Sequence, residues 1–391
     1  MTTPITFVTP RYGAGVIGGA EAGARQLATR LAAEGRAVTV ITSRASSMQT
    51  WADEYDEGSS VEEGVTVLRC SVDQPREPDF DRHSDALLPR AADASRAEAD
   101  AWIRAQGPTS RTLIDAVSAV DEGVVVFYPY LYHPTVAGRR VARVPTILYP
   151  AAHDEAPLQL PVFDEVFGAV DGIGYHTRAE QELVHHRFPA TVRAPQTIVG
   201  LPVEMAAAPD PAAARAALGL GDEPFALFLG RVDRGKGVHD LVERFDRHTG
   251  RGGSGRLVVA GSVEGRPPEG RGVTVLGPIP EEHKFGLIAA ADVLINPSFY
   301  ESFSIVILEA WLAGTPVLVN GWCEPMVEHV TLSGGGLFYT GVSDFELALE
   351  RLLTEASTRD ALASAGREYV TRRYAWSAVR TRLDGLVDAV S

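Results

Sequence analysis

Cysteine is scarce in this chain: Cys70 and Cys323 are the two in 391 residues. They stand far apart and form no metal-ligand pattern. A disulfide framework is therefore not expected, and a reducing cytoplasm is the default compartment. Long apolar runs are missing too. None approaches the roughly 20 residues that a bilayer-spanning helix needs. The N-terminal stretch Met1 to Thr9 lacks a charged-then-apolar leader pattern. Positive charge is in deficit, with 36 Lys and Arg against 51 Asp and Glu and a net charge of −15. Nonspecific nucleic-acid binding is not expected of such a surface. No repeat of fixed period is visible, and no segment is of low complexity.

What remains is an ordinary globular composition, 45% hydrophobic and 22% charged. The length suggests two domains. In the first half, short apolar runs alternate with helical patterns. Ile5–Thr9, Ala37–Thr42, Val65–Cys70, Gly123–Phe127, Thr146–Tyr149, Gly172–Tyr175 and Gln196–Val199 are strand candidates. Between the first two, Ala20, Ala24, Leu27, Ala28 and Leu31 line one helix face, closed by Gly35. The second half repeats the pattern with Phe225–Leu229, Arg256–Ala260, Val273–Leu276, Asp292–Asn296, Val317–Asn320 and Gly336–Tyr339. The alternation predicts an α/β fold of doubly wound parallel sheets. Leu201-Pro202 and Pro209-Asp210-Pro211 break regular structure between the halves. Domains are expected at 1–200 and 201–375. The segment from Asp53 to about Ala101 is acidic and punctuated by Gly58, Gly64, Pro75 and Pro78. It reads as an insertion or long loop of the kind that is often functional.

The densest chemistry lies in Ser298-Phe299-Tyr300-Glu301-Ser302-Phe303-Ser304, followed by Ile305 to Leu312. The run Val293-Leu294-Ile295 reads as a buried strand, and Ile305, Leu308 and Leu312 recur at helical spacing. Thr315-Pro316 ends that helix. Glu301 is thus placed on the loop at a strand's carboxyl end, and Glu309 about two turns into the helix. Open parallel sheets bind ligands in such crevices. Backbone N–H groups from Ser302 to Ser304 are expected to open the helix and to be available to a phosphate. Carboxylates beside them suit sugar hydroxyls, which are donors. The combination suggests a nucleotide sugar.

A second stretch, Gly230-Arg231-Val232-Asp233-Arg234-Gly235-Lys236-Gly237, follows the strand Phe225–Leu229. Its glycines permit close backbone approach, and Arg231 and Lys236 could clamp a diphosphate. The Walker order is missing, and a glycine-rich surface turn with solvated bases would read the same way. Tyr12-Gly13-Ala14-Gly15-Val16-Ile17-Gly18-Gly19-Ala20-Glu21 follows the first strand. It fits the dinucleotide fingerprint loosely, without the acid about 20 residues on. Gly18-Gly19 more simply admits a ligand. His153 sits just after a strand end; as Asp154 and Glu155 bring no second histidine at ligand spacing, a polar ligand contact is favoured over a metal, and a structural loop histidine would read the same way. Trp51, Tyr128, Tyr130 and Tyr132 could stack on an acceptor sugar or could be core packing.

In their order along the chain, Gly18-Gly19-Ala20-Glu21, His153, Gly230-Arg231, Lys236-Gly237, Glu301 and Glu309 resemble glycosyltransferase family 4, retaining enzymes of the GT-B fold. The likeness runs in order from about Phe225 to Tyr374. In the first half it covers mainly the first loop, Phe127–Tyr132 and the neighbourhood of His153. It implies two Rossmann-like domains facing a central cleft, the first for the acceptor and the second for a nucleotide-diphosphate sugar. The last helix, 376–391, would pack back on the first domain. By the same likeness Arg231 and Lys236 hold the diphosphate, with Gly230 beside them, and Glu309 holds the ribose. Glu301 holds the donor sugar, with Ser302, Phe303 and Ser304 offering backbone amides. The base would lie against Gly277-Pro278-Ile279. His153 would stand near the transferred sugar, and Gly18 and Gly19 would close over the diphosphate. Glu301, His153, Arg231 and Lys236 are the expected catalytic group. Two stretches depart from the family pattern, Val199-Gly200-Leu201-Pro202-Val203-Glu204 at the linker and Gly261-Ser262-Val263-Glu264.

The implied activity is a hexosyltransferase-type one, in cell-surface polysaccharide, glycolipid or natural-product glycosylation. No metal and no cofactor is expected, and the UDP-, GDP- or dTDP-sugar is a substrate. The acceptor is a glycan, a lipid-linked sugar or a small molecule, without nucleic acid. The expected location is cytoplasmic, with membrane contact at most peripheral at the inner face. The rivals are an NAD-dependent oxidoreductase, a sugar-nucleotide epimerase of similar architecture and a non-catalytic sugar or nucleotide binder. A glycosidase, which would use two close carboxylates, ranks low.

Overall fold

The computed structural model describes residues 2–16, 18–205, 207–263 and 265–391. Ile17 of the first glycine loop and Glu264 of the second departing stretch lie outside the described residues. Two compact units form: Met1–Leu201 with Val379–Ser391, and Pro202–Ala378.

The first unit is built on eight strands. They are β1 (Ile5–Val8), β2 (Val38–Ser43), β3 (Gly58–Glu62), β4 (Val65–Cys70), β5 (Val124–Phe127), β6 (Thr146–Leu148), β7 (Gly172–Tyr175) and β8 (Gln196–Ile198). Their order is β3-β4-β2-β1-β5-β6-β7-β8. All neighbours run parallel except β3 and β4. In β1 every residue is buried, as a strand covered on both faces by crossover helices must be. Ile5 pairs with Val38 on one side and Val124 on the other. The strand order therefore reverses between β1 and β5, which makes their carboxyl ends the unit's switch point.

The segment 53–101 is not a long loop. Its first part is a hairpin, β3–β4, turned by Glu63 and Gly64 at positive φ; this is the backbone a tight hairpin needs. It continues as the helix Phe80–Leu87 and enters the helix Arg96–Gln106 through a Ser95/Glu98 capping box. Phe80, Leu87, Trp102 and Ile103 join the core of the unit. Burying side chains of that size contributes about 1.5–3 kcal/mol each, which outweighs the punctuation by Gly and Pro.

The second unit has six strands, β9 (Phe225–Leu229), β10 (Arg256–Ala260), β11 (Val273–Gly277), β12 (Val293–Asn296), β13 (Val317–Asn320) and β14 (Gly336–Tyr339). They lie in the order β11-β10-β9-β12-β13-β14, all parallel. Here the order reverses between β9 and β12. The helix Ile305–Ala313 that leaves β12 is apolar on nearly every face, with Ile307, Leu308, Ala310 and Trp311 buried. It is a core helix for that reason. Gly314, in the left-handed region, ends it before Thr315-Pro316 is reached.

The last helix, Trp376–Val390, belongs from Val379 onward to the first unit. Val379, Leu383, Leu386 and Val387 are its buried stripe. Arg380 pairs with Glu34 at 2.8 Å and Arg36 with Asp384 at 2.8 Å. The Arg382 guanidinium donates to the Val199 carbonyl at 2.9 Å.

Candidate functional site

Two loops flank the switch point of the second sheet. One follows β9 and carries Gly230, Arg231 and Lys236. The other follows β12 and carries Glu301. They are held together by backbone contact. Gly237 lies in the left-handed region, and a Cβ there would meet the Pro297 carbonyl oxygen at 2.7 Å. The loop after β10 is equally close. A Cβ on Gly261, at φ 132°, would fall 1.9 Å from the Gly230 carbonyl oxygen. Only glycine permits that approach at that φ. The contact continues as the Val232 amide donates to the Ser262 carbonyl at 2.8 Å.

Within this frame Arg231 is oriented by Asp233, with Nε 2.5 Å from Oδ2. Asp233 Oδ1 accepts the Lys236 backbone N–H at 3.0 Å and so caps the short turn that presents the lysine. The Lys236 ammonium donates to Glu301 Oε1 at 2.8 Å. Glu301 Oε1 also accepts from Asn296 Nδ2 at 3.2 Å, and the same amide donates to Ser304 Oγ at 2.7 Å. Asn296 is the polar last residue of an otherwise apolar buried strand, and that position was the signal for it. Arg231, Lys236 and Glu301 are brought into one cluster; Asp233 and Asn296 organise it and were not singled out from the sequence.

The helix begins at Ile305, with Ser304 as its left-handed cap residue. Ser302, Phe303 and Ser304 therefore belong to the loop and not to the first helical turn, which corrects the expectation. Phe303 is buried edge-on against His329 and Tyr374, with ring centroids 5.3 and 5.1 Å away. Its ring anchors the loop, so only its backbone is in a position to serve a ligand.

Glu309 is buried, and Lys284 from the helix Glu281–Ala290 donates to its Oε1 at 2.6 Å. Burial pushes the Glu309 carboxyl above the ordinary carboxylate value, and Lys284 pulls it back. For Lys284 burial works downward, and the neighbouring carboxylates more than offset it. Lys284 was missed because nothing in the spacing of residues 284 and 309 announces that two helices bring them together. Gly277 ends β11, the strand at the sheet's edge, and Ile279 follows it; the Gly277 carbonyl accepts the Gly261 N–H at 2.8 Å.

In the first unit Gly18 and Gly19 start the helix Gly19–Ala33 beside the carboxyl end of β1. Arg11 and Glu21 are both buried there and paired at 2.5 Å. Arg11 also donates to the Ser46 carbonyl at 2.9 Å. A Cβ on Gly18 would meet the Glu21 carboxylate at 2.1 Å.

His153 lies on the loop after β6, 3.4 Å through Nδ1 from Glu155 Oε1. A buried chain steadies that loop. Glu180 Oε1 accepts the Ala152 N–H at 2.7 Å, and its Oε2 accepts the His176 backbone N–H at 2.6 Å and lies 3.2 Å from His176 Nδ1. With Nδ1–H donating to the carboxylate, His176 Nε2 accepts the Tyr128 hydroxyl at 2.8 Å.

The four candidate acceptor aromatics are core residues. Trp51 is fully buried and donates its indole N–H to the Gln106 carbonyl at 2.7 Å. It meets Tyr132 edge-on. Tyr128, Tyr130 and Tyr132 are buried as well, and the Tyr130 hydroxyl donates to Glu155 Oε1 at 3.0 Å. Their ring faces rest on protein, so as stacking platforms they have no face to offer. Among the described residues no group of three or more His, Cys, Asp or Glu could hold a metal ion. Among the same residues no helix is long and apolar enough to cross a membrane.

The chain has relatives in sequence and in fold. Residues 223–355, within the second unit, match the family model described as glycosyl transferases group 1. The D-inositol 3-phosphate glycosyltransferase of Kribbella flavida is 32% identical over 244 residues, 55% of this chain and 56% of that protein. The chain spans about half the length of the curated relatives it matches. Sucrose-phosphate synthase from Thermosynechococcus elongatus superposes with a TM-score of 0.71 at 20% identity, covering 99% of this chain and 98% of that one. Anabaena HepE, solved in complex with UDP and glucose, gives 0.70 at 14% identity, covering 99% and 100%. The chain thus resembles the group 1 glycosyltransferases in sequence over residues 223–355, and it has the GT-B fold of two Rossmann-like domains.

Proposed function

We propose that this chain is a retaining, hexosyltransferase-type glycosyltransferase that moves a sugar from a nucleotide-diphosphate sugar to an acceptor hydroxyl. The carrying observation is the pairing of Lys236 with Glu301 across the switch point of the second sheet, with Arg231 held by Asp233 on the same loop as Lys236. Two cations on one loop suit a diphosphate, and a carboxylate on the facing loop suits sugar hydroxyls. In the transfer, the bond from the anomeric carbon to the phosphate oxygen breaks. The acceptor oxygen attacks the same face and gives its proton to the departing diphosphate. Negative charge grows on the leaving oxygens while the sugar turns cationic. Preorganised donors aimed at such charge are worth about 10²–10³ in rate each. Arg231, held by Asp233, and Lys236, presented by the capped turn, are the preorganised donors here.

Glu301 is assigned to the donor sugar, with the backbone of Ser302 to Ser304, and Glu309 to the ribose. Gly277 and Ile279 are assigned to the base. Lys284 engages Glu309 Oε1, which leaves the second oxygen to accept from a ribose hydroxyl. The same pairings argue against a glycosidase, since each carboxylate is engaged by a lysine. The first unit's His153 and Gly18-Gly19 are assigned to the same reaction, in the cytoplasm, without a metal. Cell-surface polysaccharide, glycolipid or natural-product glycosylation is the setting proposed.

The test is a screen of UDP-, GDP- and dTDP-sugars for hydrolysis, read by mass spectrometry. At least one is expected to be cleaved to the nucleoside diphosphate. Cleavage of none, together with a thermal shift given by NADH and by no sugar nucleotide, would replace this reading with an oxidoreductase.

A further inference from the structure

Among the described residues of the second unit, four large apolar aromatic side chains are exposed. Phe299 is 46% exposed, Tyr300 50%, Trp322 69% and Phe338 47%. All four lie on or just after the adjacent strands β12, β13 and β14. Their loops are tied together by named contacts. The Asn320 side-chain amide donates to the Pro297 and Ser298 carbonyls at 3.2 and 3.3 Å, while its oxygen accepts the Trp322 N–H at 3.1 Å. The Cys323 thiol lies within electrostatic reach of Glu301. Trp322 is the residue before Cys323, and Phe299 and Tyr300 precede Glu301 in the chain. A Cβ on Gly321 would meet the Phe338 ring at 3.2 Å, which places Phe338 against the loop that carries Trp322.

Trp322 is the informative one. Its indole N–H donates to the Thr340 carbonyl at 3.2 Å. The ring is held in one orientation and still faces solvent. Thr340 is fixed in turn, because Asp344 accepts its backbone N–H at 2.7 Å. A large aromatic that is both pinned and exposed is preorganised for a partner and loses little freedom on binding one. Exposed apolar patches beside a polar site mark interaction surfaces.

The chemistry around the patch selects the partner. A sugar ring presents polarised C–H groups on one face, which the negative face of an aromatic ring attracts. Its hydroxyls are donors, and the exposed Glu324, two residues from Trp322, is an acceptor. That carboxylate, on a chain of net charge −15, disfavours an anionic-membrane partner. We propose that Phe299, Tyr300 and Trp322 form a platform on the second unit for an uncharged pyranoside ring of the acceptor. Calling that ring the acceptor's rests on the transferase reading above; the platform itself does not.

Of the five tryptophans, Trp51, Trp102 and Trp311 are buried and Trp376 is half-buried. Iodide quenching of tryptophan fluorescence therefore reports mainly on Trp322, and Trp322→Phe identifies its share. Maltotriose, methyl α-D-glucopyranoside and methyl α-D-mannopyranoside are titrated against the full chain, beside phosphatidylcholine–phosphatidylglycerol vesicles. At least one pyranoside is expected to protect the Trp322 component saturably, and Tyr300→Ala to weaken that protection roughly three- to tenfold. Protection by vesicles alone overturns the proposal in favour of a membrane contact, and protection by nothing overturns it outright. Donor hydrolysis on the same preparation keeps the two readings apart. Turnover without pyranoside protection removes the platform alone, and protection without turnover removes the transferase reading alone.

Discussion

Removing the ammonium of Lys284 is the sharpest structural perturbation of the site. The lysine faces Glu309 at 2.6 Å, with side-chain exposures of 23% and 11%. Taking one partner from a fully buried pair costs about 3–5 kcal/mol, because the other charge is left behind. The partial exposure of both groups lowers the expected cost of Lys284→Met to about 2–3 kcal/mol at neutral pH. The pH dependence carries a sign. Burial raises the Glu309 carboxyl above its ordinary value of 4.5, with Lys284 opposing. Between the unfolded value and the folded one, the unfolded chain binds fewer protons, so this group's contribution falls as pH rises through that window. Without Lys284 the folded value climbs further and the fall becomes larger. Urea denaturation of wild type, Lys284→Met and Lys284→Met/Glu309→Gln at pH 5 and pH 8 measures it. The single variant should lose more at pH 8 than at pH 5, and the double variant should recover at least roughly half of the loss. A cost below about 0.5 kcal/mol at both pH values would show that the pair does not organise the helix carrying Glu309.

Gly261→Ala should destabilise the second unit by more than about 2 kcal/mol, since its Cβ has no room beside the Gly230 carbonyl; wild-type urea stability would refute that packing. Burial pushes the Cys323 thiol up to about 12, so iodoacetamide at pH 8 should label it only in denaturant, and rapid labelling of the folded chain would contradict its burial. A chelator should leave donor turnover intact if Arg231 and Lys236 neutralise the diphosphate, and loss restored by manganese or magnesium would refute this.

The strands were legible because they are parallel and buried. Runs such as Val293-Leu294-Ile295 and Phe225–Leu229 are apolar throughout, and such runs stand out without help from a partner. β3 was not legible, because Gly58–Glu62 is a half-polar edge strand whose only instruction is the turn at Glu63-Gly64. The segment around it reads as a loop for the same reason. Arg231, Lys236, Glu301 and Glu309 could be placed at the carboxyl ends of strands from local pattern alone. Their partners could not. Asp233 acts through a capping geometry, and Asn296 through a side chain turned toward Glu301. Lys284 meets Glu309 only after two helices pack. The aromatics were ambiguous in principle, since a core tyrosine and a sugar platform share composition. Burial separated Tyr128 and Tyr130 from Tyr300 and Trp322.

The central claim is that the second unit holds a sugar nucleotide with Glu309 on the ribose and Glu301 at the reacting sugar. Steady-state kinetics of Glu309→Gln and Glu301→Gln, with the donor that the hydrolysis screen identifies, test it most directly. A ribose contact is shared by ground state and transition state, so Glu309→Gln should mainly raise the Michaelis constant for the donor. A carboxylate beside a developing positive charge acts in the transition state, so Glu301→Gln should mainly lower turnover. If both variants keep wild-type constants and only melt earlier, the two carboxylates are structural and the site assignment is wrong.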